Sequence, residues 1–135
     1  MRVDLSSDEI NGNLVAEIME LCGQDVLKCY QCGRCSAGCP IVEEMDLLPN
    51  QVSRLIQMGL EEEVLNSKTV WLCVSCFMCQ SRCPKGVDLP ALMESLRFLA
   101  TKRGYDHFGP SEINRETIMK APQQAIVGAY RNQSS

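Results

Sequence analysis

Eight cysteines in two runs are the residues of this chain best placed to do chemistry. "CYQCGRCSAGCP" spans Cys29 to Pro40 and "CVSCFMCQSRCP" spans Cys73 to Pro84. Cys29, Cys32, Cys35, Cys39 and Pro40 each reappear 44 positions later, as Cys73, Cys76, Cys79, Cys83 and Pro84. Each half reads C-x2-C-x2-C-x3-C-P, the spacing that holds a 4Fe-4S cubane through thiolates. Thiolates at i, i+3 and i+6 on a chain curled round a cube each reach a different iron, while the fourth points away from it. With two motifs related by an approximate two-fold, each fourth cysteine completes the other motif's cluster. The expected ligand sets are therefore crossed: Cys29, Cys32, Cys35 and Cys83 for cluster one, and Cys73, Cys76, Cys79 and Cys39 for cluster two.

A zinc site would use two separated C-x2-C pairs and would not need a third cysteine three residues further on. Pro40 and Pro84, lacking an N–H and fixed in φ, are suited to turn the chain out of each ligating loop. Gly33 and Gly38 are expected to permit tight backbone in the first loop. Because crossed ligation closes long loops, cluster binding should supply folding free energy, and the metal-free chain should fold poorly. Each oxidised cube with four thiolates carries -2, so two of them would take the formal charge of -4 to about -8. Lys28, Arg34, Arg82 and Lys85 stand beside or within the motifs, where they can offset that charge or simply face solvent.

The rest of the composition narrows the alternatives. A chain of 135 residues with 45% apolar and 22% charged residues is that of one globular domain with some peripheral chain. Only 5% of residues are aromatic, so something besides packing is expected to help hold so small a core. The net negative charge argues against a nucleic-acid binder, which needs a concentrated basic face. "MRVDLSSDEIN" has no apolar secretory core, so the expected location is cytoplasmic. The most apolar run, "TVWLCVSCFMC", is about half the length of a membrane span, so no direct membrane insertion is expected. Nine cysteines are an odd number for a disulfide framework, and Cys22, outside the motifs, reads as a small packing residue. No nucleophile–base pair or dinucleotide fingerprint competes with the clusters, so no catalytic residue is assigned and any activity belongs to an assembly.

The elements that must position the thiols read as helices. "NLVAEIMELCG" places Leu14, Ile18 and Leu21 on one stripe and ends at Gly23. Pro49 opens a helix carrying Val52, Leu55 and Ile56, closed by Gly59, and "LEEEVLNS" follows with Leu60, Val64 and Leu65 inward. "DLPALMESLRFLATKRG" is the clearest helix: Asp88 as N-cap, Pro90 in the first turn, an apolar stripe of Leu89, Leu92, Met93, Leu96 and Leu99, and Gly104 at its end. A short helix from Ser111 and another over "APQQAIVGAYR" are weaker expectations, and His107 reads as a surface loop residue. The expected organisation is an N-terminal helix and arm over 1–24, a helical two-cluster domain over 25–104, and a tail over 105–135 suited to docking on a partner.

"KCYQCGRCSAGCP", "VWLCVSCFMCQSRCP", "DLPALMESLR" and the helical spacer together resemble the small, C-type iron–sulfur subunit of heterodisulfide reductases, over roughly Leu14 to Gly104. The resemblance implies an all-α fold, the alpha-helical ferredoxin, similar to the C-terminal domain of succinate dehydrogenase and fumarate reductase iron–sulfur subunits. The 28 residues ahead of Cys29 hold no C-x4-C-x2-C run of a plant-type cluster, and no adjacent cysteines of a CCG motif occur. By resemblance, the two clusters would relay single electrons between a flavin-containing, iron–sulfur A-type subunit and a CCG-motif B-type subunit, inside a larger hetero-oligomeric complex. A freely diffusing ferredoxin-type carrier is the alternative, and a zinc-stabilised interaction module a more distant one.

Overall fold

The computed structural model describes residues 13–105 and 113–133. The N-terminal arm up to residue 12, His107 and Ser111 lie outside the described residues. Nine α-helices form among the described residues, and no strand does. The chain divides into two compact units, Met1–Arg97 and Phe98–Ser135.

In the first unit, α1 (Leu14–Cys22) buries Leu14 and Ile18 and ends where Gly23 takes φ 67°. Leu21, expected to face inward, is 43% exposed. The buried stripe advances in steps of four residues, so the half-buried Cys22 continues it and Leu21 turns outward. A 3-10 turn over Val26–Lys28 follows, with Leu27 N–H donating to the Asp25 carboxylate at 2.9 Å. The first cysteine loop contains the short helix α2 (Arg34–Ala37).

A second 3-10 turn, Val42–Glu44, leads to α3 (Pro49–Gln57), which buries Val52, Leu55 and Ile56 as its apolar spacing requires. Gly59 at φ 73° lets the chain reverse, and Leu60 N–H donates to the Leu55 carbonyl at 3.0 Å. Helix α4 (Glu61–Leu65) turns Val64 and Leu65 into the core and keeps its acidic first turn outward, where the helix dipole favours it. Helix α5 (Lys68–Leu72) runs straight into Cys73. The second cysteine loop contains α6 (Met78–Arg82), which packs on α2, and α7 (Leu89–Lys102) follows.

Asp88 fastens the start of α7, its carboxylate accepting from Ala91 N–H at 3.0 Å as the expected N-cap and from the Gln80 amide at 2.8 Å. Its backbone pairs with the Gln24 side chain, whose amide donates to the Asp88 carbonyl at 2.5 Å and whose carbonyl accepts from Asp88 N–H at 2.7 Å. These bonds tie the end of α1, the second cysteine loop and α7 at one point.

In the second unit, Leu99 and Ala100 are buried, and Gly104 takes φ 75° at the end of α7, with Tyr105 N–H donating to the Ala100 carbonyl at 2.8 Å. Helix α8 (Arg115–Lys120) starts at an Asn114 cap that accepts from Glu116 N–H, and α9 (Gln123–Gln133) carries the mostly exposed Val127 and Tyr130.

Candidate metal centre

The two cysteine loops have the same backbone. In the first, the middle cysteine Cys32 is flanked by Gln31 at φ 63° and Gly33 at φ 75°; in the second, Cys76 is flanked by Ser75 at φ 52° and Phe77 at φ 61°. The left-handed residues thus recur 44 positions apart, in register with the cysteines. Such kinks turn successive N–H groups toward one side and make anion-binding concavities of the kind found at iron–sulfur sites. Phe77 bears a Cβ where the first loop has glycine, a cost the fold carries to keep the loop shape.

Gly38 is small for a different reason from the one expected. Its φ of -107° is ordinary, but a Cβ there would lie 2.6 Å from Cδ and Nε of Arg82, whose side chain crosses it from α6. Backbone freedom is needed at Gly33, and space at Gly38.

The helix after each loop grips the loop's beginning in the same way. In the first half, the Gln57 side-chain amide of α3 donates to the carbonyls of Val26 and Cys29, at 3.1 and 2.9 Å. In the second, Arg97 of α7 donates to the carbonyls of Val70, at 2.7 Å, and Cys73. Val70 and Cys73 are the 44-residue counterparts of Val26 and Cys29, so one neutral and one cationic side chain do the same positioning work. Ser36 of α2 further locks the first loop to α3, donating to the Asn50 side chain at 2.6 Å and accepting from its N–H at 3.1 Å.

Two cavities result, of about 360 and 390 Å³ of space between atoms, part of it open to solvent. The first is lined by Cys29, Cys32, Cys35 and Cys83, and the second by Cys39, Cys73, Cys76 and Cys79. Each cavity therefore takes three thiols from one motif and the fourth from the other. Among the described residues no three His, Cys, Asp or Glu side chains converge on a point as a single metal ion requires. The thiols ring a space instead.

The two linings differ. Around the first cavity, the Gln31 amide reaches the Cys29 sulfur at 3.4 Å and Val87 N–H reaches the Cys83 sulfur at 3.3 Å. The Arg34 N–H holds the Cys32 thiol below its ordinary pKa, helped by the Tyr30 hydroxyl and opposed by desolvation. Lys85 sits 5.8 Å over the Tyr30 ring. The second cavity is lined by Ile41, Met45, Pro49, Val74, Pro90 and Met93 around its thiols. There burial pushes the Cys79 thiol up to about 11. Burial also raises Cys35 in the first cavity. Such thiols keep their protons at neutral pH in the absence of metal and release them to solvent when they ligate a metal cation.

The eight motif cysteines expected from the sequence line these two cavities, whereas Gln57 and Arg97 are not singled out by it, because their partners lie 28 and 24 residues away and leave no local signature. Of the four cations beside the motifs, Lys28, Arg34, Arg82 and Lys85 are all exposed.

A helical scaffold with paired four-thiol cavities defines an all-α iron–sulfur protein of the helical ferredoxin class, and residues 25–87 match the model of a family described as a 4Fe-4S dicluster domain. The chain is 35% identical over 105 residues to the second C-type iron–sulfur subunit of the CoB–CoM heterodisulfide reductase of Methanocaldococcus jannaschii, covering 72% of this chain and 56% of that protein. It is 33% identical to the corresponding iron–sulfur subunit of Methanopyrus kandleri over 75% of this chain and 57% of the relative. It is 31% identical to the C2 subunit of the H(2)/formate:CoB-CoM heterodisulfide,ferredoxin reductase of Methanococcus maripaludis over 87% of this chain and 67% of the relative. The chain belongs to the family of C-type iron–sulfur subunits of heterodisulfide reductases. It spans a little over half the length of the first two relatives. No helix among the described residues is long and apolar enough to cross a membrane.

Proposed function

We propose that the chain is an electron-transfer subunit holding two 4Fe-4S clusters, one ligated by Cys29, Cys32, Cys35 and Cys83 and the other by Cys73, Cys76, Cys79 and Cys39. The observation that carries this reading is the grouping of the thiols, since each cavity draws its fourth cysteine from the opposite motif. All-sulfur donors ringing a space suit a multi-iron cube, whereas a lone zinc ion would need its ligands to converge. When bound, each cluster supplies one-electron redox chemistry. The chain contributes the four thiolates at each site, backbone and amide N–H groups aimed at sulfurs of the first cavity, and a mostly apolar wall around the second. No side chain is needed as an acid, base or nucleophile.

By kinship, the electrons pass between a flavin-bearing, iron–sulfur A-type subunit and a CCG-motif iron–sulfur B-type subunit, in a larger complex in the cytoplasm, where cysteines are kept from forming disulfides and can ligate clusters. In this reading residues 25–104 carry the clusters, 1–24 form a supporting helix and arm, and 105–135, with the exposed Val127 and Tyr130 of α9, form the segment offered to a partner. The test is anaerobic isolation of the native protein and identification of the chains that travel with it. Larger flavin and iron–sulfur chains in fixed proportion support the reading; a coloured monomer that purifies alone and reduces unrelated acceptors would replace it with a diffusible carrier.

A further inference from the structure

Helices α3 and α7 follow the two cysteine loops and play equivalent parts, with their residues related by 40 positions: Pro49 and Leu89 begin them, and Gln57 and Arg97 grip the loop carbonyls. The same register relates Ser53 to Met93. Ser53 lines the first cavity and Met93 the second. The sites are thus built to one plan and differ at this position by a hydroxyl against a thioether.

The Ser53 hydroxyl is 1% exposed for its residue and is the one buried side-chain polar atom among the described residues without a hydrogen-bond partner. Other serines of this fold satisfy themselves on nearby carbonyls: Ser95 on Ala91 at 3.0 Å, Ser67 on Val64 at 2.8 Å and Ser81 on Met78 at 2.9 Å. Ser53 makes no such bond. A buried hydroxyl left unpaired is costly, so one kept at a cavity wall points to an acceptor inside the cavity.

We infer that Ser53 donates its hydroxyl to a sulfur of the cluster in the first cavity and raises that cluster's reduction potential, while Met93 leaves the second cluster without a counterpart. The inference rests on the two-cluster reading above. Hydrogen bonds to sulfur stabilise the reduced, more negative state of a cluster more than the oxidised state. Ser53 is a positioning and tuning residue in this scheme and touches no substrate. It joins the Gln31 amide and Val87 N–H, which already reach sulfurs of the first cavity. Arg97 acts on the second site through the Cys73 carbonyl and opposes part of the difference, so Ser53 sets a contribution to one potential and not the order of the two.

The experiment is an anaerobic redox titration of the cluster-loaded full chain, followed by EPR, for the wild type, Ser53→Ala and Ser53→Thr, with iron counted in each. Ser53→Ala is expected to lower one of the two midpoints and leave the other in place. The ratio of reduced to oxidised cluster at a fixed potential should fall by about threefold to tenfold, tenfold being about 59 mV for a one-electron couple. Ser53→Thr, which keeps the hydroxyl, should hold the midpoint near wild type. Removing an unpaired hydroxyl from a merely structural site would leave both midpoints unmoved. That result, at full iron content of about eight per chain, overturns the inference while leaving the two clusters intact. Equal shifts of both midpoints would also overturn it, and wild-type iron far below that level would remove the cluster reading and the inference together.

Discussion

Asp46 is a non-cysteine residue on which the second cysteine loop depends, and replacing it with alanine gives a prediction that can be worked from the hydrogen bonds. One carboxylate oxygen accepts from Leu47 N–H, Thr69 N–H and the Thr69 hydroxyl, at 2.9, 2.9 and 2.7 Å. The other accepts from Lys68 N–H at 2.9 Å. Asp46 thus caps α5 from 22 residues away, and α5 leads directly to Cys73. Loss of an N-cap costs about 1 kcal/mol, and the part-buried Thr69 N–H, left unpaired, adds about 1 kcal/mol. The Thr69 hydroxyl contributes little to the loss because it can turn to the Leu47 carbonyl, 2.7 Å away.

Asp46→Ala should therefore lose about 2 kcal/mol, or about 6 °C in melting temperature for a chain of this size. Anaerobic guanidinium unfolding of the cluster-loaded protein, followed by far-UV circular dichroism, measures it. Desolvation pushes the Asp46 pKa up, but the Thr69 hydroxyl and the Lys68, Thr69 and Leu47 N–H groups outweigh it and hold the carboxyl below its ordinary value. A depressed folded pKa means that the stabilisation is fully present above the unfolded value of about 3.9 and is lost as pH falls through the folded one. The gap between wild type and variant should hence stay constant from about pH 8 to about pH 5. A variant within about 0.5 kcal/mol of wild type, or a gap that closes within that range, would refute the reasoning.

Other expectations follow from the loops and their anchors. Gly33→Ala should cost about 1–2 kcal/mol, because nothing lies within 4 Å of the added Cβ and the whole penalty comes from φ 75°. Phe77→Gly, at a residue 54% exposed and already left-handed, should change stability by less than about 1 kcal/mol, as relief of strain offsets added chain freedom. Arg97→Gln should retain more stability in chemical unfolding than Arg97→Leu, since Gln57 shows that a neutral amide can hold the equivalent pair of carbonyls. Stripping iron with chelator and oxidant should unfold the helices around both cavities together, and retained helicity by circular dichroism would show that packing alone suffices.

Much of this architecture is legible in the sequence because its signals are local. Pro49 and Gly59 bracket α3, Asp88 and Gly104 bracket α7, and the unbroken spacing of 44 announces two copies of one loop. What stayed hidden depends on contacts distant in the chain or on conformations the residue type conceals. Phe77 adopts the left-handed region because the loop geometry imposes it, although nothing in a phenylalanine advertises that. Gly38 is selected by the side chain of Arg82, 44 residues away. Asp46 reads as one acid among several until α5 folds back onto it. The polarity difference between the cavities emerges only from their folded linings, where the 40-residue register of α3 and α7 sets Ser53 against Met93.

The central claim is that eight thiols, three from one motif and one from the other at each site, hold two iron–sulfur cubes. Its most direct test is the iron and acid-labile sulfide content of anaerobically prepared Cys39→Ser beside the wild type, with the EPR signals of both. The wild type should hold about eight irons per chain. Cys39→Ser should spare the cluster of Cys29, Cys32, Cys35 and Cys83 and damage the one built on Cys73, Cys76 and Cys79. A wild type with far less iron, or a variant that loses only the cluster of its own motif, would contradict the account.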